Sequence, residues 1–296
     1  MMRPTSATSS TEDSLINLDL ITSRTGDLPP LPTTAVRAMQ MTRDPNASVR
    51  DLQAVISQDQ ALSARILRIV NSASYCFRRE VSTVSHAVAL LGMETVRSII
   101  IAASIQLFSE TGMKRLGDLG TKLMADHSWG TAVAARILAQ RVHYGNREEA
   151  FICGLMHDIG KPVLLQRIPV EYMPIINDAY RGETTFHESE IVTLRFSHAH
   201  VGAHLAMKWN FPNQLSEAIG YHHDPLSAPN YSQLACIVSL SNKMMVFLGV
   251  GFERNKALQL ETLPETASLK LDRSGLDTII TDVQTFRTQM TASMDM

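Results

Sequence analysis

Apolar residues recur along most of this chain with the spacing of α-helices. Leu62, Ile66, Leu67 and Val70 keep a helical period, which places them on one side of a helix. Residues 96–108 are apolar nearly all round, a pattern typical of a helix in the centre of a bundle. The same spacing predicts further helices over residues 84–91, 113–124, 127–142, 201–209, 214–222, 231–250 and 274–294. Because no convincing period-two or β-α alternation interrupts this pattern, we predict an all-α fold.

The two ends of the chain depart from the helical pattern. Residues 1–27 are rich in Ser, Thr and Asp, so we expect a flexible N-terminal tail. Order is expected to begin at Leu28-Pro-Pro-Leu-Pro32, and Ser48-x-x-Asp51 predicts the capped start of an early helix. Residues 246–296 are expected to form a linker, irregular over 251–271, followed by a C-terminal helix.

Composition narrows the classes of function. Apolar residues make up 45% of the 296 positions and the formal net charge is −2, which excludes a largely disordered chain. The charge also argues against electrostatic binding of nucleic acid, and no apolar stretch is long enough to span a membrane. Cys76, Cys153 and Cys236 have no C-x-x-C spacing and residues 1–15 carry no secretion signal, so we expect a cytoplasmic protein with reduced thiols.

Histidine is distributed unevenly along the chain. Of ten histidines, only His86 precedes residue 127, and the other nine lie between residues 127 and 223. The most informative segment is Phe151-Ile-Cys-Gly-Leu-Met-His-Asp-Ile-Gly-Lys161. Its adjacent His157 and Asp158 offer an imidazole nitrogen and a carboxylate oxygen to one cation, a donor set that suits Mn, Fe, Zn or Mg. Gly160 lets the backbone turn so that both side chains can face one cavity.

This segment resembles the HD superfamily of metal-dependent phosphohydrolases, in which a first His, a His-Asp pair and a distal Asp hold metal on a helical bundle. His127, in Asp126-His-Ser-Trp-Gly, resembles the first His of that pattern. Other motifs narrow the resemblance to the HDOD branch: Leu28-Pro-Pro-Leu-Pro, residues 59–75, Ala87-x-x-Leu-Leu-Gly92, Ser197-His-Ala-His through Trp209, and Tyr221-His-His223. The resemblance implies a bacterial protein with an HDOD domain over 28–245, divided into an N-terminal helical half (28–110) and an HD-like half (111–245).

The resemblance also implies a set of site residues. His127, His157 and Asp158 match the metal-binding pattern, while His198 and His222 (or His223) match extra ligands of the related cyclic-di-GMP-cleaving HD-GYP enzymes. The distal acid is missing, because the alignment of Ile237-Val-Ser-Leu-Ser-Asn-Lys243 places Asn242 at that position, and the Gly-Tyr-Pro segment of those enzymes is absent too. An amide binds a divalent cation more weakly than a carboxylate does. If the site is active, Asp158 would act as ligand and proton acceptor and Lys161 would contact a phosphate.

Simpler interpretations of the same residues remain open. His157 and Asp158 could form a buried hydrogen-bonded pair left from an ancestral site. His198 and His200 lie about 200° apart on a helix, so they cannot both face one cavity. We expect His222 and His223 to point in two directions, and His143 and His187 to lie on the surface.

The N-terminal half offers one further alternative. Asn71-Ser72-Ala73 could cap and pack a helix end, or it could belong, with Tyr75, to a docking surface. The sequence does not separate the two.

Three functions are compatible with these residues. The first is a regulatory module with a degenerate HD site that binds signalling proteins such as a kinase, a response regulator or a cyclic-di-GMP enzyme. The second is a metal-dependent phosphohydrolase acting on a nucleotide or phosphoester. The third is a sensor that binds a nucleotide or metal without turnover. We favour the first, because the site is incomplete and the chain carries no other catalytic constellation.

Overall fold

A computed structural model describes residues 18–31, 33–41, 46–71 and 81–294, and all regular elements in these ranges are helical. The predicted all-α class is therefore confirmed. The N-terminal half contains α1 (Leu18–Thr25), α2 (Thr33–Met41), α3 (Val49–Ile56), α4 (Gln60–Val70), α5 (Val84–Leu91) and α6 (Met93–Met113).

The second half carries the histidine-rich segment. It contains α7 (Gly117–Arg141), α8 (Arg147–Met156), α9 (Gly160–Arg167), α10 (Pro169–Arg181), α11 (Phe186–Leu194), α12 (His198–Lys208), α13 (Asn213–Gly220), α14 (Ser232–Phe247), α15 (Pro264–Ser268) and α16 (Arg273–Met294). None of the helices in the described ranges has the length and apolar character needed to cross a bilayer.

Helix α6 lies between the two halves of the domain and contacts both. It packs against α2, α4 and α5 on one side and against α7, α8 and α9 on the other. Residues 99–105 are buried at every position, so the all-round apolar pattern is confirmed as that of a central helix. Because α7 and α8 pack on α6, the positions of their residues depend on the packing of both halves.

Several helices begin where the sequence supplies a capping side chain. Ser48 accepts a hydrogen bond from the backbone N–H of Asp51 and donates one to the Asp51 carboxylate, which confirms the predicted cap. Thr185 and Glu188 form a reciprocal capping box at the start of α11. Each such cap stabilises its helix by about 1 kcal/mol.

The N-terminal segment differs in part from the flexible tail expected over 1–27. Residues 18–25 form a helix whose Ile21 is fully buried, whereas residues 1–17 lie outside the described ranges. Beyond that helix, Asp27 pairs with Lys208 at 2.6 Å, and the Trp209 indole donates to the Pro29 carbonyl at 3.0 Å. The chain therefore docks on the C-terminal end of α12 as it enters the domain.

The side chain of Asn71, the residue that follows α4, forms hydrogen bonds with the backbone of Val81. Its amide donates to the Val81 carbonyl at 2.9 Å and accepts from the Val81 N–H at 2.7 Å. These contacts favour the capping interpretation for Asn71 itself. Residues 72–80, including Tyr75 and Cys76, lie outside the described ranges, so the docking surface stays a prediction.

The segment expected to be a linker is packed on the domain. Glu265 of α15 is buried and accepts hydrogen bonds from Lys243 at 2.5 Å and Ser239 at 3.1 Å, both on α14. Helix α16 packs on α7 and buries Leu276, Ile279 and Val283. The 251–296 segment therefore packs on the domain through these buried side chains, while many of its other described positions are exposed.

Two adjacent isoleucines test the packing of α16. Ile279 is 1% exposed and Ile280 is only partly buried, so the same truncation removes different amounts of packing. We expect Ile279→Ala to lower the free energy of unfolding by about 2–5 kcal/mol. Ile280→Ala should cost clearly less in the same urea titration. Equal losses would show that α16 does not pack through its Ile279 face.

Candidate metal centre

Four segments of the HD-like half converge on one buried centre. His127 lies on α7, His157 and Asp158 lie in the turn between α8 and α9, His198 begins α12, and His222 follows α13. All five side chains are less than one-tenth exposed. The structure thus brings together all five residues that the sequence nominated.

Two glycines allow this convergence. A Cβ on Gly154 would lie 2.8 Å from backbone atoms of Thr131 and Ala132, so α8 approaches α7 closely only because residue 154 has no side chain. A Cβ on Gly160 would lie 2.1 Å from the carbonyl oxygen of His198. Gly160 therefore serves close approach to α12, rather than the turn that the sequence suggested, since its φ is not positive.

His127, His157 and Asp158 form the first group of candidate ligands. The Nε2 atoms of the two imidazoles lie 3.2 Å apart. Oδ2 of Asp158 lies 3.6 Å from Nε2 of His127 and 3.4 Å from Nε2 of His157. Two nitrogens and one carboxylate oxygen thus face a common point.

Backbone carbonyls fix the tautomers of these two histidines. Nδ1 of His127 lies 3.0 Å from the Val250 carbonyl oxygen, and Nδ1 of His157 lies 2.7 Å from that of Gly154. Because a carbonyl only accepts, both Nδ1 atoms carry the proton, and in the neutral rings the Nε2 atoms present lone pairs. Burial lowers the pKa of both imidazoles, that of His157 to about 3, which disfavours a second proton. Two lone pairs facing each other at 3.2 Å favour a bound cation.

His198, His222 and His223 form a second group of candidate ligands. Nδ1 of His222 donates to the Ile219 carbonyl at 2.7 Å, and its Nε2 is buried without a hydrogen-bond partner. Nε2 of His223 lies 3.0 Å from Nε2 of His198. An orphaned, buried lone pair of this kind is the signature of a ligand position.

Asp158 joins the two groups. Its Oδ1 lies 3.1 Å from Nε2 of His198, and its Oδ2 accepts a hydrogen bond from Nζ of Lys161 at 2.8 Å. Although burial opposes ionisation, the neighbouring His157 and the charged Lys161 hold the pKa of Asp158 well below its usual value. The carboxylate is therefore ionised and available to a cation.

Glu190 is a site residue that the sequence analysis missed. It is fully buried, and its carboxylate accepts from the His198 backbone N–H at 2.7 Å, from the Tyr172 hydroxyl at 2.6 Å, and lies 2.6 Å from Nδ1 of His198. Burial opposes protonation of His198, but the Glu190 carboxylate raises its pKa. A signal did exist, since Glu190 lies between Phe186 and Leu194 on the buried face of α11.

Lys161 is held between an aromatic ring and carboxylates. It is 5% exposed, and Nζ lies 4.2 Å from the centroid of the Phe186 ring. Burial lowers its pKa, yet Asp158 and then Glu253 raise it above its usual value. Glu253 also accepts from the Phe186 backbone N–H at 2.6 Å. It lies in the segment that the sequence predicted to be a linker, so neither spacing nor motif pointed to it.

Comparisons with known proteins show the family to which this fold belongs. Residues 28–225 match the family profile of the HDOD domain. The chain belongs to the HDOD family. Its fold resembles an HDOD domain protein of unknown function from Geobacter sulfurreducens, with a TM-score of 0.78, 25% identity and coverage of 93% of this chain and 95% of the other.

Two further relatives extend the comparison. A proposed phosphohydrolase from Shewanella amazonensis has a TM-score of 0.70 at 26% identity, covering 91% of this chain and 95% of that one. An uncharacterised protein from Treponema pallidum is 26% identical over 233 residues. That match covers 77% of this chain but only 44% of the Treponema protein, so the HDOD chain spans less than half of that relative's length.

The remaining histidines of the HDOD chain give mixed outcomes. The prediction that His187 lies on the surface is wrong, because its ring stacks on His223 with centroids 4.2 Å apart and its Nδ1 is buried. The expected divergence of His222 and His223 is also wrong, since both follow the end of α13 in a turn and both contact His198. His143 is exposed as predicted. His200 accepts from the Ser197 N–H at 3.0 Å and caps its own helix.

Neither Asp126 nor Asp224, the acids next to His127 and His223 in the sequence, replaces the missing distal aspartate. Asn242 is 8% exposed on α14, while Asp126 and Asp224 are exposed. The additional carboxylates next to this HDOD centre are instead those of Glu190 and Glu253, which contact His198 and Phe186. Glu190 orients the candidate ligand His198, whereas Glu253 bonds to the backbone of Phe186 and to none of the candidate ligands in the hydrogen bonds described.

The donor set of the HDOD centre fits a divalent metal ion. Imidazole nitrogens dominate and one carboxylate is central, which suits Zn, Fe or Mn better than Mg. The orphaned Nε2 of His222 and the facing Nε2 atoms of His127 and His157 are the positions that would bind it.

Glu190 gives a test of the support behind His198. Glu190→Gln removes the charge that accepts three hydrogen bonds in a fully buried position, and we expect a loss of about 1.5–3 kcal/mol in unfolding free energy. Tyr172→Phe removes one of those bonds and should cost about 0.5–1.5 kcal/mol. Urea denaturation of both variants is the measurement. A Glu190→Gln variant as stable as the wild type would show that the Glu190 charge does not support His198.

Proposed function

We propose that this HDOD chain is a signalling module whose buried HD-like centre binds a divalent cation and which acts by binding other proteins rather than by hydrolysing a substrate. One observation carries the proposal. The lone pairs of several buried histidines converge on an ionised carboxylate in a centre closed to solvent. Nitrogen lone pairs beside a carboxylate charge are the donors that a divalent cation takes.

The closure of the site favours binding over turnover. His157, His198 and His222 are at most 1% exposed, so a phosphoester would reach them only after the surrounding helices separate. Lys161 already contacts Asp158, and Asn242 supplies no charge at the place of the distal acid. A cation neutralising Asp158 would tie α7, α8–α9, α12 and α13 to one another. The presence or absence of the cation would then determine the conformation that partner proteins recognise.

Membership of the HDOD family supports a regulatory role in bacterial signalling. The partners we propose are signalling proteins: a kinase, a response regulator or a cyclic-di-GMP enzyme. They would bind in trans, through the N-terminal helical half or the 225–296 segment. A nucleotide as a further ligand stays a prediction.

Phosphohydrolase activity is the second candidate, and the similarity to the Shewanella protein, which is described as a proposed phosphohydrolase, favours it. Lys161 would have to exchange its contact with Asp158 for a phosphate. When bound, a divalent cation would supply Lewis-acid charge. The chain's own contribution would be Asp158 as proton acceptor and Lys161 as phosphate contact.

Metal binding is tested on the full chain after chelation and dialysis. We expect titration with Mn²⁺ or Zn²⁺ followed by elemental analysis to give at least one ion per chain. The His157→Ala/Asp158→Ala double variant should lose this ion, and metal should no longer raise its melting temperature. The matched control is His86→Ala/Asp277→Ala, which removes one exposed His and one exposed Asp and should bind as the wild type does. A wild type without bound metal would contradict the proposal.

The same loaded protein separates the three functions. We expect no product from a panel of phosphomonoesters, phosphodiesters and nucleotides. Turnover that disappears in the His157→Ala/Asp158→Ala variant would establish the phosphohydrolase and overturn the regulatory proposal. Saturable nucleotide binding without product would instead identify the sensor.

A further inference from the structure

A short segment outside the family match contacts the metal centre. Residues 249–253, here called the strap, follow α14 and lie beyond residue 225, where the match to the HDOD domain ends. The strap is buried at Val250 and Gly251. It touches the candidate ligand His127 at the ring itself.

The strap is anchored at both ends. Its first residues are tied to the end of α14 by hydrogen bonds from the Gly249 N–H to the Val246 carbonyl at 3.1 Å and from the Val250 N–H to the Met245 carbonyl at 2.9 Å. At its other end, Phe252 packs edge-on against the Phe186 ring, and Glu253 accepts from the Phe186 N–H at 2.6 Å. The strap thus bridges α14 and the start of α11, the helix that carries Glu190.

Two neighbouring contacts fix the ring of His127. The Val250 carbonyl oxygen lies 3.0 Å from Nδ1, which places the proton on that nitrogen and leaves Nε2 bare toward His157. Gly251, with φ +102°, lies against the same ring. A Cβ at position 251 would lie 2.9–3.1 Å from Cβ, Nδ1 and Cγ of His127. A side chain there would therefore displace either the ring or the strap.

We propose that the strap is a positioning element of the metal centre, in which Val250 and Gly251 hold His127 in the ligand tautomer with Nε2 directed at the cation. The inference rests on the proposed cation site and goes beyond it. It assigns a role in metal affinity to a segment that the HDOD match does not cover. The rival explanation is that the strap only secures the C-terminal helices to the domain.

Gly249 and Gly251 separate these explanations. Both have positive φ, +71° and +102°, so alanine strains the backbone at either position. A Cβ at 249 meets nothing within 4 Å, whereas a Cβ at 251 meets His127. Gly249→Ala therefore serves as the control for a positive-φ substitution in the strap that does not reach the ligand ring.

The experiment uses the full chain and Co²⁺ as the probe. Co²⁺ affinity is measured by calorimetry, and its visible absorption reports the coordination of the ion. We expect Gly251→Ala to weaken Co²⁺ binding by about tenfold or more and to change the absorption bands. Gly249→Ala should keep the wild-type spectrum and affinity. Equal affinities and spectra in the two variants would overturn the strap proposal, while a wild type that binds no Co²⁺, Mn²⁺ or Zn²⁺ would defeat the proposed function itself.

A measurement on the metal-free wild type keeps the proposal testable if Gly251→Ala fails to fold. Long-range ¹H–¹⁵N spectra distinguish the two tautomers of a neutral imidazole, and the His127 signal is assigned by its loss in His127→Gln. We expect a single tautomer with the proton on Nδ1. A His127 ring with the proton on Nε2, or a mixture of tautomers, would overturn the proposal.

Discussion

The site depends on two imidazole nitrogens that face each other at 3.2 Å beside a buried, ionised carboxylate. Their rings donate from Nδ1 to the Val250 and Gly154 carbonyls, so each Nε2 presents a lone pair to the other. Such a pair is unfavourable in a dry interior unless a positive charge lies between or beside the nitrogens. Lys161 supplies positive charge to Asp158, and a divalent cation would supply it to the nitrogens as well.

The fold supports that contact by bringing helices unusually close together. Gly154 lets α8 approach the backbone of α7, which places His157 against His127, and Gly160 lets the start of α9 meet the first residue of α12. Around these approaches, Glu190 orients His198. Because α6 also contacts α2, α4 and α5, it fixes α7, α8 and α9 relative to the N-terminal half. The centre is therefore connected by packing to the N-terminal half, one of the two regions through which we propose that partners bind.

Helical spacing, a local signal, predicted the helical class, and the resemblance of the motifs to the HD pattern implied the five candidate ligands. It failed where position depends on contacts between distant segments. His223 belongs to the second group because α13 ends before it. A helix continued through His222 and His223 would point the two side chains in different directions, and the sequence does not show where α13 ends. The strap contacts His127 across 123 residues of chain, and no local pattern marks such a contact.

Glu190 shows an intermediate case. A charged residue between Phe186 and Leu194 on the apolar face of a helix indicates a buried partner, and only the tertiary structure names His198 and Tyr172 as those partners. Gly154 and Gly160 are similar cases. The sequence shows that they are glycines, but it does not show which backbone segments pack against them. Sequence thus predicts which residues carry the chemistry more readily than which residues hold them in place.

The most direct test of the account is the location of the metal itself. Crystals of the full chain grown with Zn²⁺ or Mn²⁺ would be measured on both sides of the metal absorption edge. The account predicts an anomalous peak about 2.0–2.2 Å from Nε2 of His127 and His157 and from an Asp158 oxygen. Density maps with no peak at this centre, or with peaks only at surface side chains, would contradict it.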